Sequence, residues 1–363
     1  MPENKLNQRR VAEELGNTEN AGTPAPEHAP PPSPEEIENT RGADIKNLTA
    51  ILDVRDTLAE SAGRKPLDVS SIENITTSEV RTRNGAIKAI MNLKAIFNED
   101  PEDLDTNEGF ARLFHNPQLA RYFLIEADGK PAGVQLVRTN PGVPGAMYVP
   151  YGGLHEGYRN LHIYPQASKQ NAEYMRTHYG ISHSVHDFDD PDRYPAHAEG
   201  NPEDTREECE GRLNFMRRSF DTCVIRDNEL PYDRPTVNRD EVQKTLVLAF
   251  RPLNPKDPQW TDVFNADRTA ITKKAYGEIY LELMQLDYSD EYADLGRPPT
   301  KTELRHDFRA IDEFFTRLEN SNKEWVSLDM TPIREKTTPN TDVPVTLVED
   351  PKPDERERWK QAA

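Results

Sequence analysis

Cysteine is nearly absent from this chain of 363 residues: Cys209 and Cys223 are the two it has, and no C-x-x-C pair exists. That excludes a disulfide framework and a zinc ribbon, and leaves one cysteine for a helix and one for a strand. Long apolar runs are missing as well. No window approaches the roughly 18 apolar residues that a membrane-spanning helix requires, and the opening MPENKLNQRR has charge without an apolar core, so a soluble, cytoplasmic protein with no membrane partner is expected. Positive charge is also short. Lys and Arg number 45 against 64 Asp and Glu, a formal net charge of −19, and the runs EDPEDLDTNE (99–108) and DFDDPD (187–192) concentrate the acid. Such a field repels a phosphate backbone, which argues against nucleic acid and for a cationic or neutral small partner. Two catalytic signatures are lacking too: no G-x-S-x-G is present, and Gly152, Gly153 and Gly157 are followed by no lysine–serine pair of the kind a P-loop needs.

Proline is plentiful, at 30 residues, and concentrated. Residues 17–42 are crowded with Pro and Glu, and the end from about Met330 has the same character, so neither can bury enough apolar surface to offset ordering entropy. The expected layout is a disordered arm over 1–42, a domain over 43–253, a helical extension over 254–329 and a disordered tail over 330–363. Within the domain, apolar residues at Ile45, Leu48, Ile51, Leu52 and Leu58 have helical spacing over 44–64, and VSSIENIT (69–76) is strand-like. Thr76 and Glu79 form a T-x-x-E capping signature, ahead of a helix through Phe97. A short helix is expected over 107–120. RYFLIEADGKPAGVQLVRT (121–139) is two β-rich runs around Asp128-Gly129, the mark of a hairpin.

Residues 147–165 then read as extended, 166–180 as helix, 181–188 as strand, 205–218 as helix, and 220–227 and 245–250 as strands. Helices are expected over 269–286 and 300–320. In the second, Leu304, Phe308, Ile311, Phe315 and Leu318 form a packing face behind a Thr300/Glu303 capping box. A hairpin feeding a β–α–β unit predicts an α/β fold: a mixed, largely antiparallel twisted sheet with helices on both faces, plus the C-terminal helical extension. The junction IYPQASKQNAEYM (163–175), where an apolar run stops at a proline and a polar helix begins, is a seat for an anion.

Six histidines fall between 155 and 197: His155, His162, His178, His183, His186 and His197. With Asp187, Asp189 and Asp190 nearby, zinc or iron ligation is the sharp reading. Spacing opposes it, since His183 and His186 point to opposite faces of a strand and no helical H-x-x-x-H exists. No metal is expected. Tyr148, Tyr151, Tyr158 and Tyr164 recur through the extended segment, as core residues or as the lining of a substrate channel.

The element order resembles the GNAT N-acetyltransferase fold. FLIEADGKPAGVQLV resembles that family's second and third strands, and IYP at 163–165 its V-x-P strand end. SVHDFDDP (184–191), RLNFMRRSFDTCVI (212–225), LPYDRPTV (230–237) and TLVLAFRPL (245–253) are similar to a bacterial GNAT pattern of acidic strand, R-L-x-F-Y-x-R helix, strand, Y-x-x-P loop and last apolar strand. The resemblance covers about 69–253. It implies acetyl-CoA as co-substrate, bound by the strand–loop–helix after the hairpin, with Ile163, Tyr164, Gln166, Ser168, Lys169, Gln170, Asn171 and Ala172 at the matching positions, and a small-molecule or peptide amine as acceptor.

Departures from the pattern are chemical. The family's Q/R-x-x-G-x-G/A loop is replaced by Ser168-Lys169-Gln170-Asn171-Ala172-Glu173, with neither glycine present and with Glu173 opposing an anion. Met216 stands where the helix tyrosine that protonates the departing thiolate would be, and a thioether donates no proton. The implied base is Glu156 or Asp187, and the nearest substitute acid is Tyr232 or a bound water. The expected function is an N-acetyltransferase acting on a primary amine. The alternative is a GNAT-fold binding or interaction module with impaired catalysis.

Overall fold

In the computed structural model the described residues are 34–62, 72, 74–97, 104–159, 163–192, 206–235, 242–243, 246–289, 291–292, 297–330 and 345–348. Most of residues 1–42, most of the tail from Met330, His162 and His197 lie outside them, and with them much of what the two expected arms concern. Helix α1 (Pro34–Ala62) starts ahead of the boundary expected at 43. Strand β1 (Ile75–Glu79) follows, and it holds both Thr76 and Glu79. The T-x-x-E signature is therefore not a cap. Helix α2 (Arg83–Ile96) is capped instead by Thr82, whose hydroxyl accepts from the Gly85 N–H. Helix α3 (Asn107–Phe114) is shorter than expected.

The hairpin stands as read. Strands β2 (Ala120–Ala127) and β3 (Lys130–Arg138) pair antiparallel, joined through Asp128 and Gly129 at φ of 49° and 75°. Both φ values are positive, the requirement of the turn that matches the twist of the strands. Strand β4 (Ala146–Leu154) ends well before Pro165, and a single 3₁₀ turn (Glu156–Tyr158) leads on towards helix α4 (Ile163–Tyr179). The extended reading of 147–165 is thus corrected: Ile163, Tyr164 and Pro165 belong to a helix. Next come β5 (His183–Asp189), α5 (Arg206–Phe220), β6 (Cys223–Val224), the two-residue strands β7 (Arg234–Pro235) and β8 (Val242–Gln243), and β9 (Leu246–Pro252).

The extension holds β10 (Ala270–Thr272), α6 (Lys273–Asp287), α7 (Lys301–Asp307), α8 (Arg309–Asn320) and β11 (Trp325–Ser327). The Thr300/Glu303 capping box forms and the five apolar residues of the expected face are buried, but the single helix is two, divided at Phe308 in an extended conformation. The Phe308 ring turns inward onto Tyr288 at 4.4 Å. A last strand, β12 (Val345–Leu347), pairs parallel with β1, inside the segment expected to be a disordered tail.

The main sheet runs β12-β1-β2-β3-β4-β5-β9-β6, antiparallel except for β12/β1 and β4/β5. It is the mixed, mostly antiparallel sheet with helices on both faces that the GNAT resemblance implied. One face carries α1, α2 and α3 over its first half, on Tyr122, Leu124, Val134 and Leu136. The same face carries α6, α7 and α8 over its second half, on Val185, Leu248 and Phe250. The opposite face carries α4, on Phe123, Val137 and Met147, and α5, on Val224, Val247 and Ala249. Leu48 and Leu52 of α1 are fully buried against α2 and α3, so α1 belongs to the core. Leu52→Ala is therefore expected to cost about 2–5 kcal/mol, read from urea unfolding. A change under about 0.5 kcal/mol would mean that α1 does not dock.

Candidate active site

The sheet is not continuous at its centre. Strands β4 and β5 pair over Ala146–Tyr148 and His183–Val185, and beyond that neither has the other beside it, although β4 continues to Leu154 and β5 to Asp189. Both outer edges are taken, β4 by β3 and β5 by β9, so two backbone edges face each other across a split. Peptide groups along such an edge need partners from outside the sheet.

On the α6 face of the split the side chains form one charged network. Asp187, two residues beyond the last paired residue of β5, accepts from Arg234 Nη1 at 2.7 Å and from the Tyr232 hydroxyl at 2.9 Å. The second guanidinium nitrogen of Arg234 meets the Asp287 carboxylate at 2.7 Å. Arg138 donates to the Asp287 carbonyl at 2.7 Å and reaches the Asp105 carboxylate at 3.4 Å. Tyr148 lies buried beside Asp187 and Asp287.

Three tyrosines hold the segment that supplies Tyr232 and Arg234. Tyr276 and Tyr280, one helical turn apart on α6, donate to the carbonyls of Leu230 and Asp233, and Tyr288 to that of Pro235. Burial pushes the Asp187 carboxyl above the ordinary range; Asp287 adds to this, and Arg234 and Tyr232 oppose it. Burial likewise raises Tyr232 and Tyr148 well above an ordinary phenol, so both stay protonated.

Two of the three expected catalytic residues, Asp187 and Tyr232, are thus in direct contact. Glu156 is not with them. It is exposed on the 3₁₀ turn past the end of β4. Of the residues expected to bind acetyl-CoA, Ile163, Tyr164 and Gln166 occupy the first turn of α4, where N–H groups lack helical partners. Ser168, Lys169, Gln170, Asn171 and Ala172 follow in its second and third turns. Ser168 and Asn171 are buried under the sheet: Gln135 donates to Ser168 at 3.2 Å, Thr77 to Asn171 at 2.8 Å, and Asn171 to Gln135 at 2.8 Å. Ala172 packs in the core, and Lys169 is exposed. The expected phosphate segment therefore splits, because the helix begins earlier than a strand ending in I-Y-P allows.

The described histidines are scattered. His155 precedes the 3₁₀ turn, His178 stacks on Tyr174, His183 meets Glu282 at 2.7 Å, and His186, held down at about 3 by burial, meets Ser184 at 2.8 Å. Among the described residues no group of three or more His, Cys, Asp and Glu side chains could hold a metal ion. No helix among them is long and apolar enough to cross a membrane. Sequence reasoning passed over Arg138, Arg234 and Asp287. Arg234 stood inside the quoted LPYDRP, and its alternation with Tyr232 was the available signal.

No family model matches the chain, and no curated protein matches it. Solved structures do. The chain is similar to an acetyltransferase of the GNAT family from Staphylococcus aureus Mu50, at 12% identity over 49% of this chain and 99% of that one, with a TM-score of 0.33. It is similar to an aminoglycoside 6′-N-acetyltransferase complexed with coenzyme A, at 12% identity over 50% and 98%, with a TM-score of 0.36. A third is RimL, the ribosomal L7/L12 alpha-N-protein acetyltransferase, in complex with coenzyme A, at 13% identity over 46% and 86%, with a TM-score of 0.30. With so little identity and such scores the likeness goes no further than the fold, which the chain's own strand pairing already defines.

The network makes opposite predictions for two of its members. Because the folded protein raises the Asp187 pKa, its ionised form costs stability, and that cost grows as pH rises through the raised value. Asp187→Asn is expected to leave the melting temperature at pH 7.5 equal to or above that of the parent. Arg234→Ala leaves two carboxylates without their cation and is expected to lose about 3–5 kcal/mol. Equal losses in the two variants would contradict this reading.

Proposed function

We propose that the chain transfers an acetyl group from acetyl-CoA to the primary amine of a small molecule or peptide by direct attack on the thioester. The observation that carries this reading is the split between β4 and β5, with a helix opening beyond the end of β4 and a buried carboxylate on its wall. The open edge of β4 offers a row of peptide groups to an extended amide-bearing chain. The first turn of α4 offers N–H groups and the positive end of a helix to phosphate. Pro165 interrupts that row, since it has no N–H, and no glycine loop tightens it. Binding weaker than a glycine loop provides is therefore expected.

Asp187 takes the proton that the amine must lose as its nitrogen bonds to the acetyl carbon. Tyr232 fixes the carboxylate by donating to the oxygen that Arg234 also holds, which leaves the other oxygen for the amine. Asp105, Asp187 and Asp287 outnumber the Arg138 and Arg234 guanidiniums that they bind by one, and that excess favours an acceptor that arrives as a cation. A raised carboxyl pKa suits the base, because stronger basicity at working pH improves proton transfer.

Calorimetry with acetyl-CoA, followed by thiol release with cadaverine and with hydroxylamine as acceptors, tests the reading. Saturable binding and enzyme-dependent release are expected, with an acid limb in the rate profile above the pH at which an ordinary aspartate titrates. Asp187→Asn should lower release by roughly 10²–10⁴-fold. Absence of acetyl-CoA binding would end the acyl-transfer reading. Binding without turnover would favour a binding module with impaired catalysis.

A further inference from the structure

Thioester aminolysis needs a second proton transfer, since the bond that breaks releases a thiolate, and a thiol is acidic only near pH 8.5. The acidic network lies on one face of the split, and the other face has a hydroxyl of its own. Tyr164, in the first turn of α4, packs with Ile163, Ala167 and Leu154 on the α4 face, and its ring meets the ring of Phe220 at the end of α5 edge-on at 6.3 Å. It therefore reaches across the split from the β4 side to the β5 side.

Its hydroxyl lies directly against Gly152 of β4. A Cβ at that position would collide with the Tyr164 oxygen, whereas a Cβ at Gly153 would meet Ile96 on the opposite face. Gly152 is glycine because the phenol occupies the space where a side chain would stand. Among the described residues no group takes the proton of this hydroxyl.

The strand registers fix its height in the split. Gly152 is opposite Gln135 and Tyr148 is opposite Arg138, so Gly152 stands three β3 residues past the last β4–β5 pair. That is about 10 Å at the usual rise per residue, and Asp187, two residues past Val185, stands at about 7 Å. A carboxylate and a phenol thus face the split from opposite sides at nearly one level.

Resting on the acyl-transfer reading, we propose that Tyr164 is the general acid of the reaction. The amine nitrogen bonds to the acetyl carbon from the Asp187 side, the carbon–sulfur bond breaks, and the sulfur receives the Tyr164 proton. The amine's proton passes to Asp187 and leaves through solvent, and the phenolate regains a proton from water. Met216 on the neighbouring α5 has no proton to give. Burial lifts the Tyr164 phenol well above its ordinary value, which keeps it protonated throughout the working range and lets it regain its proton from water, while making it a weaker acid, so its proton transfers only as charge builds on the sulfur.

The test compares the full-length protein with Tyr164→Phe, using acetyl-CoA and hydroxylamine. Turnover by thiol release is expected to fall about 10²-fold or more, while acetyl-CoA affinity by calorimetry stays within about threefold. A second variant carries 2,3,5-trifluorotyrosine at 164, which keeps the ring and the hydroxyl in place but acidifies the phenol. Its rate profile should lose activity at lower pH on the alkaline side than the parent's, a shift that a purely packing role would not produce. If Tyr164→Phe retains turnover within about twofold, or the fluorinated variant leaves the alkaline limb unmoved, the assignment of Tyr164 falls and acyl transfer stands. If the parent protein itself releases no thiol, the acyl-transfer reading falls and this assignment with it.

Discussion

Two parallel strands that begin together and then part impose a debt of hydrogen bonds at the centre of the sheet. After Tyr148 and Val185 the facing edges of β4 and β5 cannot satisfy each other, and both far edges are already taken by β3 and β9. Peptide groups left this way must find water or a ligand. The cause of the parting can be read from the chain. Tyr148 at the last pair and the Arg138–Asp287–Arg234 network beside it fill the α6 face, and the β3/β4 register shifts between Leu136 and Arg138, where a bulge bends a strand.

The network also explains why the C-terminal helices cannot be treated as an appendage. Asp287 is the last residue of α6, and its carboxylate and carbonyl bind Arg234 and Arg138 from two different parts of the sheet domain. Tyr276, Tyr280 and Tyr288 fasten the 230–235 segment through its backbone. Without the extension, Tyr232 and Arg234 would have no fixed place. Buried ion pairs of this kind bring little net stability, because desolvation offsets attraction. Their contribution here is position, since they hold the Asp187 carboxylate at a defined point on the split.

What the sequence disclosed follows the range of the forces involved. The hairpin was legible because Asp128-Gly129 encodes positive φ locally, and so was the face of α7 and α8, where the spacing of Leu304, Ile311, Phe315 and Leu318 reports burial directly. Boundaries failed where distant contacts decide. Thr76 and Glu79 look like a cap from their own spacing, yet Glu79 is buried in a strand, bound by Arg81, Arg121, Tyr174 and Tyr179, partners up to a hundred positions away. The run LHIYPQ looks extended because proline disfavours the helical conformation in the residue before it, but Pro165 sits in a first helical turn, where its missing N–H costs nothing. Asp187 and Tyr232 were legible only through the GNAT resemblance, since an acidic run and a proline-flanked loop mark neither as buried. Arg234 was marked only by its alternation with Tyr232, and Asp287 by nothing, because nothing local says which carboxylates an arginine will bridge.

The two faces of the split differ in the way proton traffic in one direction would require. The α6 face offers a carboxylate whose pKa burial raises, with Arg234 and Asp287 beside it. The α4 face sets the Tyr164 phenol among Ile163, Ala167 and Leu154, with Tyr158 in the same cluster, and burial alone shifts it. A group that accepts a proton benefits from nearby cations and polar neighbours that stabilise its ionised form before the reaction. A group that donates benefits from a dry surrounding that keeps it neutral until a developing anion arrives. The alternation of Gly152 and Gly153 on β4 sets this polarity in the backbone itself, since the first admits Tyr164 on one face and the second admits Ile96 on the other.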